Sequence, residues 1–180
     1  MAKDLSESAP RAALVPYRRR MCDYRAFTCG EPEMDRWLAE YAGQAERKNT
    51  ARTFIAIDSE QKSREVWGYF TLCNAQVEPA DAAATSGRYS VPATLLARLA
   101  VATSKQHTGL GGNLLIKAME TAVQALHYSG SRLFIVDALN DQAARFYERY
   151  GFKRFAEDQN RLFIATRTLQ RAFDLATPTL

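Results

Sequence analysis

The stretch that most constrains this chain is Thr94–Leu115, TLLARLAVATSKQHTGLGGNLL. An apolar run, Thr94–Ala102, reads as a strand and passes into a polar turn. Gly109, Gly111 and Gly112 follow within four positions. Glycine loses the most conformational freedom on folding. Such density points to a tight turn or to backbone that a ligand approaches closely. Leu110, Leu114, Leu115, Ala118, Met119, Ala122 and Leu126 then repeat at helical spacing. A helix that opens on a glycine-rich loop presents unpaired N–H groups and the positive end of its dipole. Bare glycines let a phosphate reach those donors. The stretch therefore reads as strand, pyrophosphate cradle, helix. Spacing excludes two common cradles. G-x-x-x-x-G-K-[ST] needs a lysine that does not follow, and G-x-G-x-x-G finds Leu114 where its third glycine belongs.

The remaining segments fit one domain over residues 15–180, after a small, polar tail at 1–14 expected to be disordered. A helix is expected within CGEPEMDRWLAEYAGQAERKN. Pro32 suits its first turn, Glu31, Glu33 and Asp35 lie near its positive end, and Met34, Trp37, Leu38, Tyr41 and Ala45 form an apolar face. ARTFIAID and VWGYFTLCNAQV read as a hairpin, and residues 78–93 as a loop. SRLFIVDAL has the apolar continuity of a strand buried on both faces. NDQAARFYERYG reads as a helix with Asn140 as N-cap and Gly151 just past its end. FKRFAED and RLFIATRTL read as a closing pair of strands. The fold class is α/β, with a mixed sheet flanked by helices.

Composition excludes some functions. Cys22, Cys29 and Cys73 form no C-x-x-C pair, and His107 and His127 lie far from them, so no metal site is expected and the thiols read as reduced. There is no signal-peptide core and no bilayer-length apolar run, so the chain is expected in the cytoplasm, off the membrane. A net charge of +4 and pI of about 9.0 tolerate an anionic partner.

Gln106–Gly111, QHTGLG, fits Q/R-x-x-G-x-G/A, and here the chain resembles the GNAT N-acetyltransferases. NDQAARFYERYGF is similar to that family's fourth helix, with its A-x-x-F-Y-x-x-x-G-F pattern. FTCG, the acidic residue before Trp37-Leu38, ARTF and the NRLFIATRTL end resemble one subgroup, the GNAT toxins of toxin–antitoxin pairs. The likeness covers roughly residues 24–170. It implies the GNAT fold, with splayed parallel strands around an acetyl-CoA site. It also implies transfer of acetyl from acetyl-CoA to the α-amino group of aminoacyl-tRNA, which blocks translation. The implied partners are the tRNA, a ribbon-helix-helix antitoxin and a second copy in a homodimer. Two other functions stand beside it: a GNAT enzyme for a small amine or protein N-terminus, and an acyl-CoA-binding or protein-binding module without catalysis. His107 stands where these proteins often carry glycine, which bears on the shape of the loop.

The resemblance also implies residue roles. Leu99, Ala100 and Val101 lend strand backbone to the acetyl-pantetheine arm. Gln106, His107, Thr108, Gly109, Leu110, Gly111, Gly112 and Asn113 supply N–H groups to the pyrophosphate, with side-chain identity decisive only at Gly109 and Gly111. Asn140 caps its helix or also bonds the pantetheine, and Ala143 and Phe146 complete the cofactor-binding set, with Phe146 as core or as a wall of the arm. Tyr147 is the catalytic residue: a phenol of pKa about 10 can protonate the leaving thiolate. No general base stands out. An α-amino group of pKa roughly 7.7–8.0, lowered further by an adjacent ester, is already partly neutral. RNA would need cationic surface. The candidates are Arg18, Arg19, Arg20 and Arg25; Arg47, Lys48 and Arg52; and Arg145, Arg149, Lys153 and Arg154.

Overall fold

Strand β1, Ala12–Pro16, pairs antiparallel with β2, Arg52–Asp58, from Ala12↔Asp58 to Pro16↔Phe54. The computed structural model describes residues 12–60, 63–78 and 89–173. The first strand thus starts inside the stretch expected as a tail, and the rest of that tail lies outside the described residues. The helix expected before β2 is present in three parts. These are α1, Pro32–Arg36, a π-helical turn, Trp37–Tyr41, and α2, Ala42–Arg47. Widening one turn rotates the next residues about the helix axis. Leu38 and Ala42 are fully buried, whereas Tyr41, expected on the apolar face, is 48% exposed.

The other strands are β3, Gly68–Val77, β4, Val91–Val101, β5, Leu133–Asp137, β6, Lys153–Arg154, and β7, Arg161–Ala165. They make a seven-stranded mixed sheet in the order β1-β2-β3-β4-β5-β7-β6. The helices are α3, Leu110–Ala125, α4, Asp141–Glu148, and α5, Thr166–Ala172. Two boundaries differ from expectation. β4 begins inside the segment expected as a loop over 78–93, of which residues 79–88 lie outside the described ones. The segment RLFIATRTL turns from strand to helix at Thr166, whose hydroxyl donates to the carbonyls of Ser131 and Arg132 at 2.7 and 3.1 Å.

The chain divides into two compact units. The first runs up to Tyr69 and returns for Ala100–Gly111. Its core gathers Leu38, Ile55, Tyr69, Phe27 and Val66. The Tyr69 ring stacks on Trp37 at 6.0 Å and meets Phe27 edge-on at 5.5 Å, and its hydroxyl donates to the Met34 carbonyl at 2.9 Å. The second unit holds Phe70–Leu99 and the chain from Gly112 onward. Within it β5 is buried along Leu133–Val136, as its apolar run predicts. It pairs parallel with β4 and antiparallel with β7. The parallel register runs from Ala93↔Leu133 to Leu96↔Val136 and stops, so Ala97–Leu99 continue β4 without that neighbour.

Candidate active site

The loop after β4 is braced at its first residue. The Gln106 amide donates to the carbonyls of Cys29, at 2.8 Å, and Val101, at 3.1 Å. Its side chain therefore shapes the loop, a role beyond the N–H supply expected of it. Thr108 closes a tight turn by donating its hydroxyl to the Lys105 carbonyl at 2.7 Å. Lys105 in turn sets its ammonium 4.3 Å from the centre of the buried Trp67 ring. His107 and Gly109 both have left-handed backbone, at φ +62° and +86°. Histidine is among the side chains that enter this region more readily than most. The loop thus keeps a left-handed residue at 107 without a glycine.

The N–H groups expected to meet the phosphates lie where α3 opens. That helix starts at Leu110, so the N–H groups of Gly109, Leu110, Gly111 and Gly112 are those a helix leaves without intrahelical partners. No atom lies within 4 Å of where a Gly109 side chain would begin. A Cβ on Gly111 would meet only the Val101 Cγ2, at an ordinary 3.6 Å. Open backbone beside unpaired donors fits a pyrophosphate. Gly112 differs from both. A Cβ there would overlap the Tyr150 hydroxyl and lie 3.2 Å from its Cζ. Tyr150 thus seats the end of α4 on the first turn of α3.

α4 carries Tyr147, the residue expected to donate the proton. Asn140 accepts from the Ala143 N–H at 2.9 Å, so capping is the role its side chain performs here, and it also occupies the Ala143 donor. Gly151, at φ +90°, stops the chain from continuing as helix. Between these signals Tyr147 faces inward, 8% exposed, with Phe146 at 5.2 Å and Phe152 at 5.7 Å. Burial alone pushes its phenol well above the ordinary tyrosine value. The hydroxyl is therefore protonated throughout the working pH range. Phe146 is half-buried, between Tyr147 and Tyr150.

The cations expected to meet RNA separate into two sets. Arg52 pairs with Glu46 at 3.2 Å and donates to Asn49 at 2.6 Å. Arg154 bridges Glu148 and Asp141, both at 2.7 Å, and its side chain is only 19% exposed. Arg145 pairs with Asp141 at 2.9 Å. Arg145 thus pairs within α4, while Arg52 ties β2 to α2 and Arg154 ties β6 to α4. Arg149 lies over the Phe146 ring at 5.8 Å. Arg18, Lys48 and Lys153 are exposed. Arg19, Arg20, Arg25 and Arg47 line one cleft of about 650 Å³ in the first unit, together with Arg64. Sequence reasoning missed Arg64, which lies in a polar turn with no motif around it, and the seating role of Tyr150, which reads as one more core aromatic. Among the described residues, no group of three or more His, Cys, Asp or Glu side chains is placed to hold a metal ion. Nor is any described helix long and apolar enough to cross a membrane.

A model of the acetyltransferase (GNAT) domain matches residues 49–154, from the residues before β2 to the end of β6. The chain belongs to that family. A tRNA-acetylating toxin of Mycobacterium tuberculosis (strain ATCC 25618 / H37Rv) is 34% identical over 134 residues, 73% of this chain and 78% of the relative. Among solved structures, the AtaT toxin complexed with acetyl-methionyl-tRNAfMet superposes with a TM-score of 0.82 at 28% identity, over 91% of this chain and 99% of that one. A tyrosine-to-phenylalanine mutant of AtaT, bound to the C-terminus of the antitoxin AtaR and to acetyl-CoA, superposes with a TM-score of 0.80 over the same shares.

Proposed function

We propose that this chain transfers acetyl from acetyl-CoA to the α-amino group of aminoacyl-tRNA and is the toxin of a toxin–antitoxin pair. The observation that carries the reading is Tyr147, a phenol held protonated by burial on a helix seated against the first turn of α3. The substrate class is supported by the likeness to toxins that acetylate tRNA. A ribbon-helix-helix antitoxin, a homodimer and a cytoplasmic setting complete the proposal.

The residues divide the work. The Gly109–Gly112 backbone holds the pyrophosphate by N–H donation at the positive end of α3. β4 beyond Leu96 offers strand backbone to the pantetheine arm. A neutral α-amine forms a bond to the acetyl carbon, and the carbon–sulfur bond breaks with its electrons going to sulfur. The Tyr147 hydroxyl gives its proton to that sulfur, leaving free thiol, and regains one from the acylated nitrogen through solvent. A phenol above its ordinary pKa is a weak acid. The same dry surroundings that raise it also raise the basicity of the departing thiolate, which keeps the two matched.

The test is incubation of the wild-type chain and acetyl-CoA with a pool of charged tRNA, followed by release and mass analysis of the amino acids. N-acetylated amino acid is expected. Acetylation of small amines or peptides but never of charged tRNA would leave the enzyme class standing and remove the substrate.

A further inference from the structure

Arg19, Arg20, Arg25 and Arg47 converge on the cleft, and among the described residues none is in a side-chain hydrogen bond or ion pair, while Arg19 and Arg47 act electrostatically on the Tyr17 phenol. Asp23 and Glu40 also line it and leave it with an excess of positive charge. Unneutralised guanidinium groups repel one another, and an arrangement that gathers them gains only when an anion arrives. The turn that presents them is ordered from within. The Tyr24 hydroxyl donates to the Arg18 carbonyl at 2.8 Å, and the Met21 N–H to the same carbonyl at 3.1 Å. The Asp23 N–H donates to the Arg64 carbonyl at 3.0 Å, and the Arg64 guanidinium to the Arg20 carbonyl. Arg20 is held at φ +66°, a backbone state that persists in a non-glycine residue only where its surroundings enforce it.

Aromatic rings back the cleft: Tyr24 is buried in the core of the first unit, and the half-buried Tyr17 is the ring left to line the opening. Tyr17 and Tyr24 stack with centroids 4.6 Å apart and planes inclined by 24°. Facing them, the π turn and α2 contribute Glu40, Gly43 and Arg47. Gly43 is required there, because a Cβ would come 2.8 Å from the Tyr17 hydroxyl. Basic groups beside a partly open aromatic ring are a composition that binds unpaired nucleotides: guanidinium groups take phosphates, while the free side of the Tyr17 ring can meet a base face. A duplex keeps its base faces inside its own stack and has nothing to offer the Tyr17 ring. An acidic peptide would satisfy the charges and leave the open side of the Tyr17 ring without a role.

We propose that this cleft binds the ribose–phosphate backbone of single-stranded RNA and holds an unpaired stretch of the RNA substrate. The proposal rests on the tRNA-acetylating function proposed for the chain. The test is fluorescence anisotropy on the full chain with three probes: a short single-stranded RNA, a blunt RNA duplex of equal length and a polyglutamate peptide. The variants are the Arg19→Ala/Arg47→Ala pair and Arg20→Gly, which removes a charge and keeps the left-handed backbone. Single-stranded RNA should bind best. The double variant should weaken it about 10-fold or more and flatten its salt slope by about 1.4, or about 0.7 for each of two phosphate contacts. Unchanged affinity and slope in folded variants would overturn the proposal, as would an arginine-dependent preference for the duplex or for polyglutamate. Acetylation of charged tRNA separates the two readings. Activity in the wild type with unaltered kcat/KM in the double variant sinks the cleft alone. Arginine-dependent binding of single-stranded RNA by a wild type that acetylates no tRNA sinks the substrate alone.

Discussion

The Tyr150 hydroxyl occupies the place a side chain on Gly112 would need. The contact joins the end of the helix that carries Tyr147 to the first turn of α3. Gly112→Ala should push the ring away and cost about 1–3 kcal/mol, the usual size of overpacking. Tyr150→Phe removes the overlapping oxygen and leaves the next atom 3.2 Å from the new methyl, so it should recover most of the loss. Chemical denaturation of the two single variants and the double variant checks this. Strict additivity would show that the two residues do not meet.

Gly111 has the space that Gly112 lacks. Gly111→Ala should fold and still bind acetyl-CoA. Gly111→Asp should fold and lose binding, because it sets a carboxylate among the donors meant for phosphates. At about 100 times its Kd, acetyl-CoA should raise wild-type stability by roughly 2.7 kcal/mol, a shift of about 5–10 °C in melting temperature. A thermal-shift series reads all three proteins. A full ligand shift in Gly111→Asp would place the pyrophosphate elsewhere.

Tyr147→Phe should lower turnover by about 10²–10⁴-fold and leave acetyl-CoA affinity near wild type. The phenol is raised above its unfolded value of about 10. Its contribution to stability is therefore complete below about pH 10 and fades as pH rises toward the folded value. The wild-type protein should lose stability above about pH 10, and Tyr147→Phe should lose less. The acid limb of kcat/KM belongs instead to the substrate amine. Wild-type turnover in Tyr147→Phe would refute the proton-donor role.

Arg154 holds Asp141 and Glu148 at opposite ends of α4 and lowers both carboxyl pKa values by hydrogen bonding. Carboxylates depressed in the folded state add stability above their unfolded pKa, and that stability is lost as pH falls through the folded value. Arg154→Ala should lower the melting temperature at neutral pH and low salt, and the difference should shrink toward pH 3 and in about 1 M salt. Its RNA salt slope should match wild type. A flatter slope would return Arg154 to the set of phosphate contacts.

What the sequence discloses depends on whether a residue answers to its neighbours in the chain or to distant ones. The glycines at 109, 111 and 112, the cap at Asn140 and the F-Y-x-x-x-G-F run are local requirements of backbone, and they located the loop and α4. β1 was hidden because Ala12–Pro16 acquires its register only from β2, forty residues on. The π turn was hidden because a widened turn breaks the period by which helices are recognised. The division of the arginines was also hidden. Arg52 and Arg154 look as free in sequence as Arg19 and Arg47, and only the fold brings carboxylates to the first two.

The histidine at 107 has a thermodynamic consequence. A left-handed residue other than glycine carries strain of order 1 kcal/mol, here sustained in a loop whose first side chain is tied to two carbonyls. Glycine at this position would leave the free loop many conformations to surrender when a ligand settles. Histidine has surrendered most of them at folding. Binding to such a loop should carry a smaller entropic penalty, with the strain carried instead as a standing reduction in the stability of the unliganded protein.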